Sequence, residues 1–208
     1  MGRTAGWVLV VGLLTGAHPA QAFEKKLSYA LAPGSKLRVE MKYGQLRIVG
    51  SQAPDVRVKI YVDERQTSLE EIVERLQVRY QPGGKEAQLR ISGMKNPRVE
   101  VLIPSETHLR AHLRAGELRI QGVTGDLQAN LWAGEMDLEV PEQNIYRFVR
   151  AHVGIGSVGH PFAGKTTGWL GKKFEAGFTR GRYRLDASVG VGDLSITPSR
   201  TRPMAKTM

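Results

Sequence analysis

The sequence contains no cysteine, which excludes a thiol nucleophile, a cysteine-ligated zinc or iron–sulfur centre, and a lipid-modified N-terminal cysteine. Long apolar runs are also missing, because the stretch at residues 5–17 is shorter than the about 20 residues that cross a bilayer. Acidic residues are scarce, with 20 against 30 basic ones and a formal net charge of +10. At 41% hydrophobic residues, the 208-residue chain still has enough apolar side chains to fold as one domain.

The first 22 residues have the pattern of a secretory signal peptide. Arg3 precedes an apolar core at residues 7–14, and Ala20-Gln21-Ala22 is an A-x-A cleavage site. The alternative is an uncleaved N-terminal anchor. Cleavage would leave 29 basic residues against 20 acidic ones, a net charge of +9. An exported chain without cysteine is typical of a bacterial envelope, so we expect a periplasmic or extracellular protein.

Alternation of apolar and polar residues predicts β-strands along most of the remaining chain. Residues 36–43 and residues 56–62 each place their apolar side chains on one face. Only the segment near residues 68–77 has the period of a short amphipathic helix, and Ser68 with Glu71 forms a capping box at its start. We therefore expect an all-β domain at residues 23–197 with one short helix packed on it.

Glycine is abundant, at 24 residues, and many copies recur in one pattern. A glycine is followed by a polar residue and an apolar-x-apolar pair, as in Gly116-Glu117-Leu118-Arg119-Ile120. A corner between short strands needs positive φ, which glycine adopts without a Cβ clash. Copies at 116, 125 and 134 are nine residues apart, so two of them would make one coil of a β-solenoid. The predicted corner glycines are Gly44, Gly116, Gly125, Gly134, Gly156 and Gly192.

The segments LRAGELRIQGVTGDLQANLWAGEMDLEV at residues 113–140 and DASVGVGDLSI at residues 186–196 carry a family resemblance. They resemble the adhesin-like, or toast-rack, family of bacterial envelope proteins. The resemblance covers roughly residues 35–197 and implies a β-solenoid or stacked β-sandwich of short strands, without established catalytic residues. It also implies an alternative role, as a sensor or partner domain of an envelope-stress pathway.

The last quarter of the chain, residues 160–208, carries nine basic residues against three acidic ones. Many lie with aromatic residues in an insertion at residues 160–184, and a basic tail at residues 198–208 is expected to be flexible. Cations beside aromatic rings suit an anionic lipid surface or a glycan. The alternative is that the aromatic rings cap the open end of the solenoid. The candidate surface residues are Lys165, Trp169, Lys172, Lys173, Phe174, Arg180, Arg182 and Arg184.

Other motifs point less clearly to chemistry. Residues 154–159 match the G-x-G-x-x-G dinucleotide pattern, but no helix is predicted after them and the repeat accounts for the glycines. His108 and His112 would lie about 13 Å apart on one strand face, so we predict no metal site. Acid pairs such as Glu135 and Asp137 leave a polysaccharide-cleaving enzyme as the least favoured alternative.

These observations together predict a non-enzymatic envelope protein without a cofactor. It would bind or scaffold at a cell-surface component, namely an anionic membrane surface, a glycan or a membrane protein. Nucleic acid is not an expected partner, because an exported protein rarely meets it.

Overall fold

The computed structural model describes residues 22–32, 34–63, 75–82, 86–140, 145–163, 165–169, 171–179 and 181–199. The predicted signal peptide apart from Ala22, most of the predicted helix and most of the predicted basic tail lie outside the described residues. Within the described part, we find no helix with the length and apolar character needed to span a bilayer.

The alternating sequence patterns form eleven β-strands in the described part of the chain. The strands are β1 (Ala22–Ala30), β2 (Lys36–Ser51), β3 (Asp55–Asp63), β4 (Gln77–Gln81), β5 (Glu86–Ser92), β6 (Arg98–Pro104), β7 (His108–Gln121), β8 (Leu127–Val140), β9 (Tyr146–Gly159), β10 (Lys172–Gly177) and β11 (Tyr183–Pro198). Successive side chains of a strand point to opposite faces, so in β7 Leu109, Ala111 and Leu113 are buried while Arg110 and His112 are exposed.

The strands form one sheet in the order β1-β3-β6-β2-β7-β8-β11-β9-β10, and β5 and β4 are added beside β2. The long central strands β2, β7, β8, β11 and β9 are parallel and pair almost entirely in register. Antiparallel pairs occur at the margins, between β1 and β3, β3 and β6, β4 and β5, and β9 and β10. The fold class is the predicted all-β, solenoid-like one, although β11 lies out of chain order between β8 and β9.

A column of five glycines bends the central strands. In-register pairing joins Gly44, Gly116, Gly134, Gly192 and Gly156, and their φ angles lie between 112° and 140°. A Cβ at Gly134 would stand 1.9 Å from the carbonyl oxygen of Gly116, so only glycine fits this bend. We call this column the glycine ladder. The strands continue through it, and are therefore longer than the short strands that the repeat predicts.

Gly125 departs from the prediction. Its φ does not lie in the left-handed region, and it belongs to the loop between β7 and β8. A Cβ there would stand 2.4 Å from the carbonyl oxygen of Thr107, so close backbone packing explains this glycine.

The bend gives each central strand two halves, and the apolar side chains of both halves enter one core. Ahead of the bend, Leu37, Leu109, Leu127 and Leu185 pair in register and are buried. Beyond it, the apolar pair that follows the glycine is also buried, as Met136 and Leu138 are in β8. Their burial leaves the polar residues between them on the outer faces.

Candidate functional site

The insertion at residues 160–184 closes the β9 edge of the sheet with aromatic rings. Phe174 lies in β10, which pairs antiparallel with β9, and is only 1% exposed. Its ring centroid lies 6.0 Å from that of buried Phe162 and 3.7 Å from that of His160. Phe178 packs on Phe162 at 5.8 Å. The cap alternative therefore describes these rings, and the prediction of Phe174 as a surface residue is wrong because its side chain is in the core.

Trp169 does not take part in this cap and is 91% exposed. It belongs to a hairpin whose ends, Thr167 and Lys173, exchange two backbone hydrogen bonds of 2.8 and 2.9 Å. The Gly171 amide donates to the Gly154 carbonyl at 2.8 Å, which fixes the hairpin beside β9. The insertion thus contains both a buried cap and an exposed tryptophan.

Lysines flank this hairpin. Lys165 and Lys173 are exposed and Lys172 is partly buried. Lys173 Nζ lies 3.1 Å from Glu175 Oε1, and Arg150 Nε donates to the same oxygen at 2.8 Å. Hydrogen bonds from Lys173 and Arg150 hold the pKa of Glu175 below its ordinary value. Glu175 therefore stays ionised and offsets part of the local positive charge.

Large apolar side chains are exposed at the corner directly before the glycine ladder. Val191 and Ile155 pair across β11 and β9 and are 46% and 58% exposed, and Trp132 on neighbouring β8 is 62% exposed. The Trp169 hairpin is fixed beside β9 at Gly154, one residue before Ile155. We call Trp132, Val191, Ile155 and Trp169 the corner ridge. Large apolar side chains that are exposed on neighbouring strands often mark an interaction site.

A second surface lies at the other end of the same strand halves, about 20 Å along β9 from Gly154 to Phe148. The guanidinium carbons of Arg147 and Arg184 lie 5.5 and 5.7 Å from the centroid of the half-exposed Phe148 ring. That of Arg182 lies 5.9 Å from the ring of Tyr183. These side chains line an open groove of about 410 Å³, which we call the arginine groove.

The structure separates the predicted surface residues into distinct groups. The hairpin and its flanks hold Lys165, Trp169, Lys172 and Lys173, whereas Arg182 and Arg184 line the arginine groove. Arg180 lies outside the described residues.

The sequence prediction missed Trp132, Ile155, Val191, Arg147 and Phe148, because these residues lie in or beside the regular strands and not in the insertion. Val191 and Ile155 each stand directly before a ladder glycine and continue the alternation of the buried residues that precede them, so alternation alone would place them in the core. The bend at the glycine exposes them instead.

The remaining motifs have structural explanations. The G-x-G-x-x-G match lies inside β9, and its Gly156 belongs to the glycine ladder. Arg119 contacts Glu117 on its own strand and, at 3.3 Å, Asp137 on neighbouring β8, so these carboxylates take part in surface ion pairs. Among the described residues, no group of three or more histidine or acidic side chains is placed to hold a metal ion.

Comparison with known proteins gives a likeness at the level of the fold. No family model matches the sequence, and no curated protein matches it closely enough to be a relative. A candidate cell adhesion protein from Clostridium sporogenes is 15% identical, with a TM-score of 0.56 over 85% of this chain and 100% of that chain. This likeness shows the fold alone. The chain therefore has an adhesin-like, all-β fold, in agreement with the sequence resemblance.

Two further solved structures are candidate adhesins. One from Bacteroides fragilis is 12% identical, with a TM-score of 0.27 over 84% of this chain and 97% of that chain. One from Parabacteroides distasonis is 14% identical, with a TM-score of 0.27 over 59% of this chain and 54% of that chain. These TM-scores are too low for a structural argument, so the likeness rests on the Clostridium structure.

Proposed function

We propose that this chain is a non-enzymatic envelope protein that binds a surface component through the corner ridge and the lysines beside it. The proposal rests on the exposure of large apolar side chains on neighbouring strands and on the adjoining hairpin. Single exposed apolar residues are ordinary, but a row of them costs solvation free energy that binding would recover. The proposal places the protein outside the cytoplasm, which the signal-peptide pattern supports.

An anionic lipid surface is the ligand that we favour for the ridge. Trp132 and Trp169 suit the interface between headgroups and acyl chains, and the aliphatic Val191 and Ile155 gain by leaving water there. Flanking lysines attract anionic headgroups, with about 1 kcal/mol for each cation near the surface. A glycan would stack on the tryptophans but would leave the aliphatic side chains without a partner.

Vesicle sedimentation tests this proposal. The protein lacking residues 1–22 should be retained by vesicles containing phosphatidylglycerol, more strongly at low salt than at physiological salt. The double substitution Ile155→Ser with Trp169→Ala should lower retention at least tenfold, which corresponds to about 1.4 kcal/mol. Tyr43→Ser is the matched control. Tyr43 is also exposed and directly precedes Gly44, the ladder glycine of β2, at the other end of the glycine ladder.

Three outcomes would contradict the lipid assignment. Equal loss in the ridge variant and in Tyr43→Ser would show that the contact is not confined to the ridge. Retention by isolated cell-wall glycan without retention by vesicles would favour a glycan ligand. Capture of a membrane protein that depends on the ridge, again without vesicle binding, would favour the sensor or partner role.

A further inference from the structure

We propose that the arginine groove is a binding subsite for a phosphate group carried by the envelope component that the protein contacts. This inference deepens the proposed function and rests on it only for the identity of the larger ligand. The groove is distinct from the corner ridge, because the two surfaces occupy opposite ends of the strand halves that precede the glycine ladder.

The guanidinium groups of the groove lie over aromatic rings. Arg147 and Arg184 both contact the Phe148 ring, and Arg182 contacts the neighbouring Tyr183 ring. A guanidinium that lies over an aromatic face keeps its N–H donors in its own plane, where they remain available to a ligand. The two rings therefore hold three cations in one place without using up their hydrogen-bond donors.

The groove is lined by more basic than acidic side chains. Its other cationic or titratable residues are Lys36, Arg110 and His108, and its acidic residues are Glu86, Asp126 and Asp186. Each acid already has a partner: Glu86 contacts Arg110 at 3.2 Å, Asp126 Oδ1 accepts from the Arg184 amide at 2.9 Å, and Asp186 contacts Arg184 at 3.9 Å. Within the described part of the chain, no carboxylate lies within ion-pair distance of Arg147 or Arg182. Their charge is thus available to an anion from outside.

Backbone hydrogen bonds hold in place the segments that carry Arg147 and Arg182. The Arg182 amide donates to the Ile145 carbonyl at 2.8 Å, and the Phe178 amide donates to the Arg147 carbonyl at 2.8 Å. Between them, Gly181 packs so closely that a Cβ would stand 2.1 Å from the Arg147 nitrogen. Because the backbone segments that carry Arg147 and Arg182 are fixed to each other, binding an anion requires little loss of backbone conformational entropy.

The third guanidinium is held in a similar way. The Arg184 amide donates to Asp126 Oδ1 at 2.9 Å, which ties the start of β11 to the loop before β8. His108 Nδ1 accepts from the Asp126 amide at 3.2 Å, and the His108 ring meets Tyr183 edge-on at 6.1 Å. Asp126 therefore acts on the backbone of the groove and leaves the Arg184 side chain on Phe148.

The donor count selects phosphate over carboxylate. Each guanidinium presents five N–H donors, and a carboxylate has only two oxygens to receive them. A phosphate group has more acceptor oxygens, spread tetrahedrally, and can be reached by three arginines from different sides. A phosphorylated polymer and a phospholipid headgroup both supply this chemistry.

Calorimetric titration of the protein lacking residues 1–22 with inorganic pyrophosphate tests the subsite. The double substitution Arg147→Gln with Arg182→Gln should weaken binding at least tenfold. The matched control, Lys42→Gln with Arg114→Gln, removes the same charge at exposed residues outside both surfaces and should weaken binding less than twofold. Equal weakening in the two variants would overturn the proposal, because it would show attraction to net charge and not to a site.

Two further measurements keep the result interpretable. Arg147→Lys with Arg182→Lys preserves the charge and the surface, and should still weaken binding several-fold because lysine lacks the planar donor array. Citrate should bind more weakly than pyrophosphate, and equal binding would overturn the choice of phosphate. Circular dichroism of each variant checks that the sheet is intact.

The same variants distinguish a lipid headgroup from a phosphorylated polymer as the source of the phosphate. They also distinguish failure of the groove proposal from failure of the ridge proposal. Loss of binding to phosphatidic acid vesicles in the groove variant would support a lipid headgroup, and loss of binding to soluble polyphosphate alone would support a phosphorylated polymer. If the ridge variant still binds pyrophosphate but not vesicles, both proposals stand. If pyrophosphate does not bind the unaltered protein, the groove proposal fails and the ridge proposal is unaffected.

Discussion

Replacing Gly134 by alanine should destabilise the fold much more than the same change at a glycine with open surroundings. Gly134 has a φ of 129°, and its new Cβ would stand 1.9 Å from the carbonyl oxygen and 2.9 Å from the carbonyl carbon of Gly116. Both clashing atoms belong to the backbone of a hydrogen-bonded neighbour, so rotating a side chain cannot relieve the overlap. Strands β7 and β8 would have to separate at the bend.

The size of the effect follows from two contributions. An alanine held in a sparsely populated backbone region costs about 1–3 kcal/mol. Separating the paired strands adds to this, so we expect a loss of about 3–4 kcal/mol, at the high end for one substitution. Gly34 isolates the conformational part, because its φ is 70° and no atom lies within 4 Å of the position that a Cβ would take. Gly34→Ala should cost about 1–2 kcal/mol.

Urea unfolding followed by circular dichroism measures these free energies. A loss of about 3 kcal/mol should also lower the Tm by about 6–12 °C in a domain of this size. Glu135→Gln, at the exposed residue that follows Gly134, should change stability by less than about 0.5 kcal/mol. If Gly134→Ala costs no more than Gly34→Ala, the glycine ladder is not sterically closed and our account of the bend is wrong.

The remaining predictions concern the cap and two titrating groups. Phe174→Ala should lower the free energy of unfolding by about 3–5 kcal/mol, and Trp169→Ala should lower it by less than about 0.5 kcal/mol. Equal losses in urea unfolding would contradict the division of the insertion into a buried cap and an exposed hairpin. Burial raises the pKa of Tyr146 far above its ordinary 10.0. The stability that comes from burying the neutral phenol is therefore complete below pH 10 and is lost as pH rises further. Phenolate absorbance should show this tyrosine ionising only when the protein unfolds. Hydrogen bonds lower the pKa of Glu175 below 4.5, so their contribution is present above that pH and is lost as pH falls through the folded pKa. Lys173→Gln should raise this pKa in a carboxyl NMR titration, and an unchanged value would contradict the contact.

Local patterns predicted the parts of the fold that depend on local chemistry. Alternation placed Leu37, Val39 and Met41 in the core, where the structure has them. The glycine repeat predicted positive φ at Gly116 and Gly134 because few other residues adopt that conformation. Both features follow from the geometry of a single strand.

Features that depend on neighbouring strands could not be predicted in this way. Gly125 begins the same motif as Gly116, but it has no ladder glycine beside it and forms part of a loop. The repeat also indicated that strands end at each glycine. Hydrogen bonds from in-register neighbours carry the strands through the bend, and the sequence of one strand contains no information about them.

The candidate site was predictable only in composition. Phe174 and Trp169 belong to the same basic, aromatic insertion, and no local signal separates the ring in the core from the ring in water. The pairing of β10 with β9 determines which ring is buried, because this pairing turns Phe174 inward beside Ala151. Arg182 and Arg184 were predicted as surface cations, but their aromatic partner Phe148 comes from a distant part of the sequence.

The position of β11 determines how the sheet can be completed. This strand is the eleventh in chain order, yet it pairs on both sides, with β8 and with β9. While it is absent, the facing edges of both neighbours carry unpaired N–H and C=O groups, which are templates for joining other chains. A chain in which β8 and β9 form first must insert β11 between them, and this step would be slow because the contacts are distant in sequence. A synthetic peptide of residues 183–198 should occupy this slot in a chain that lacks its own β11.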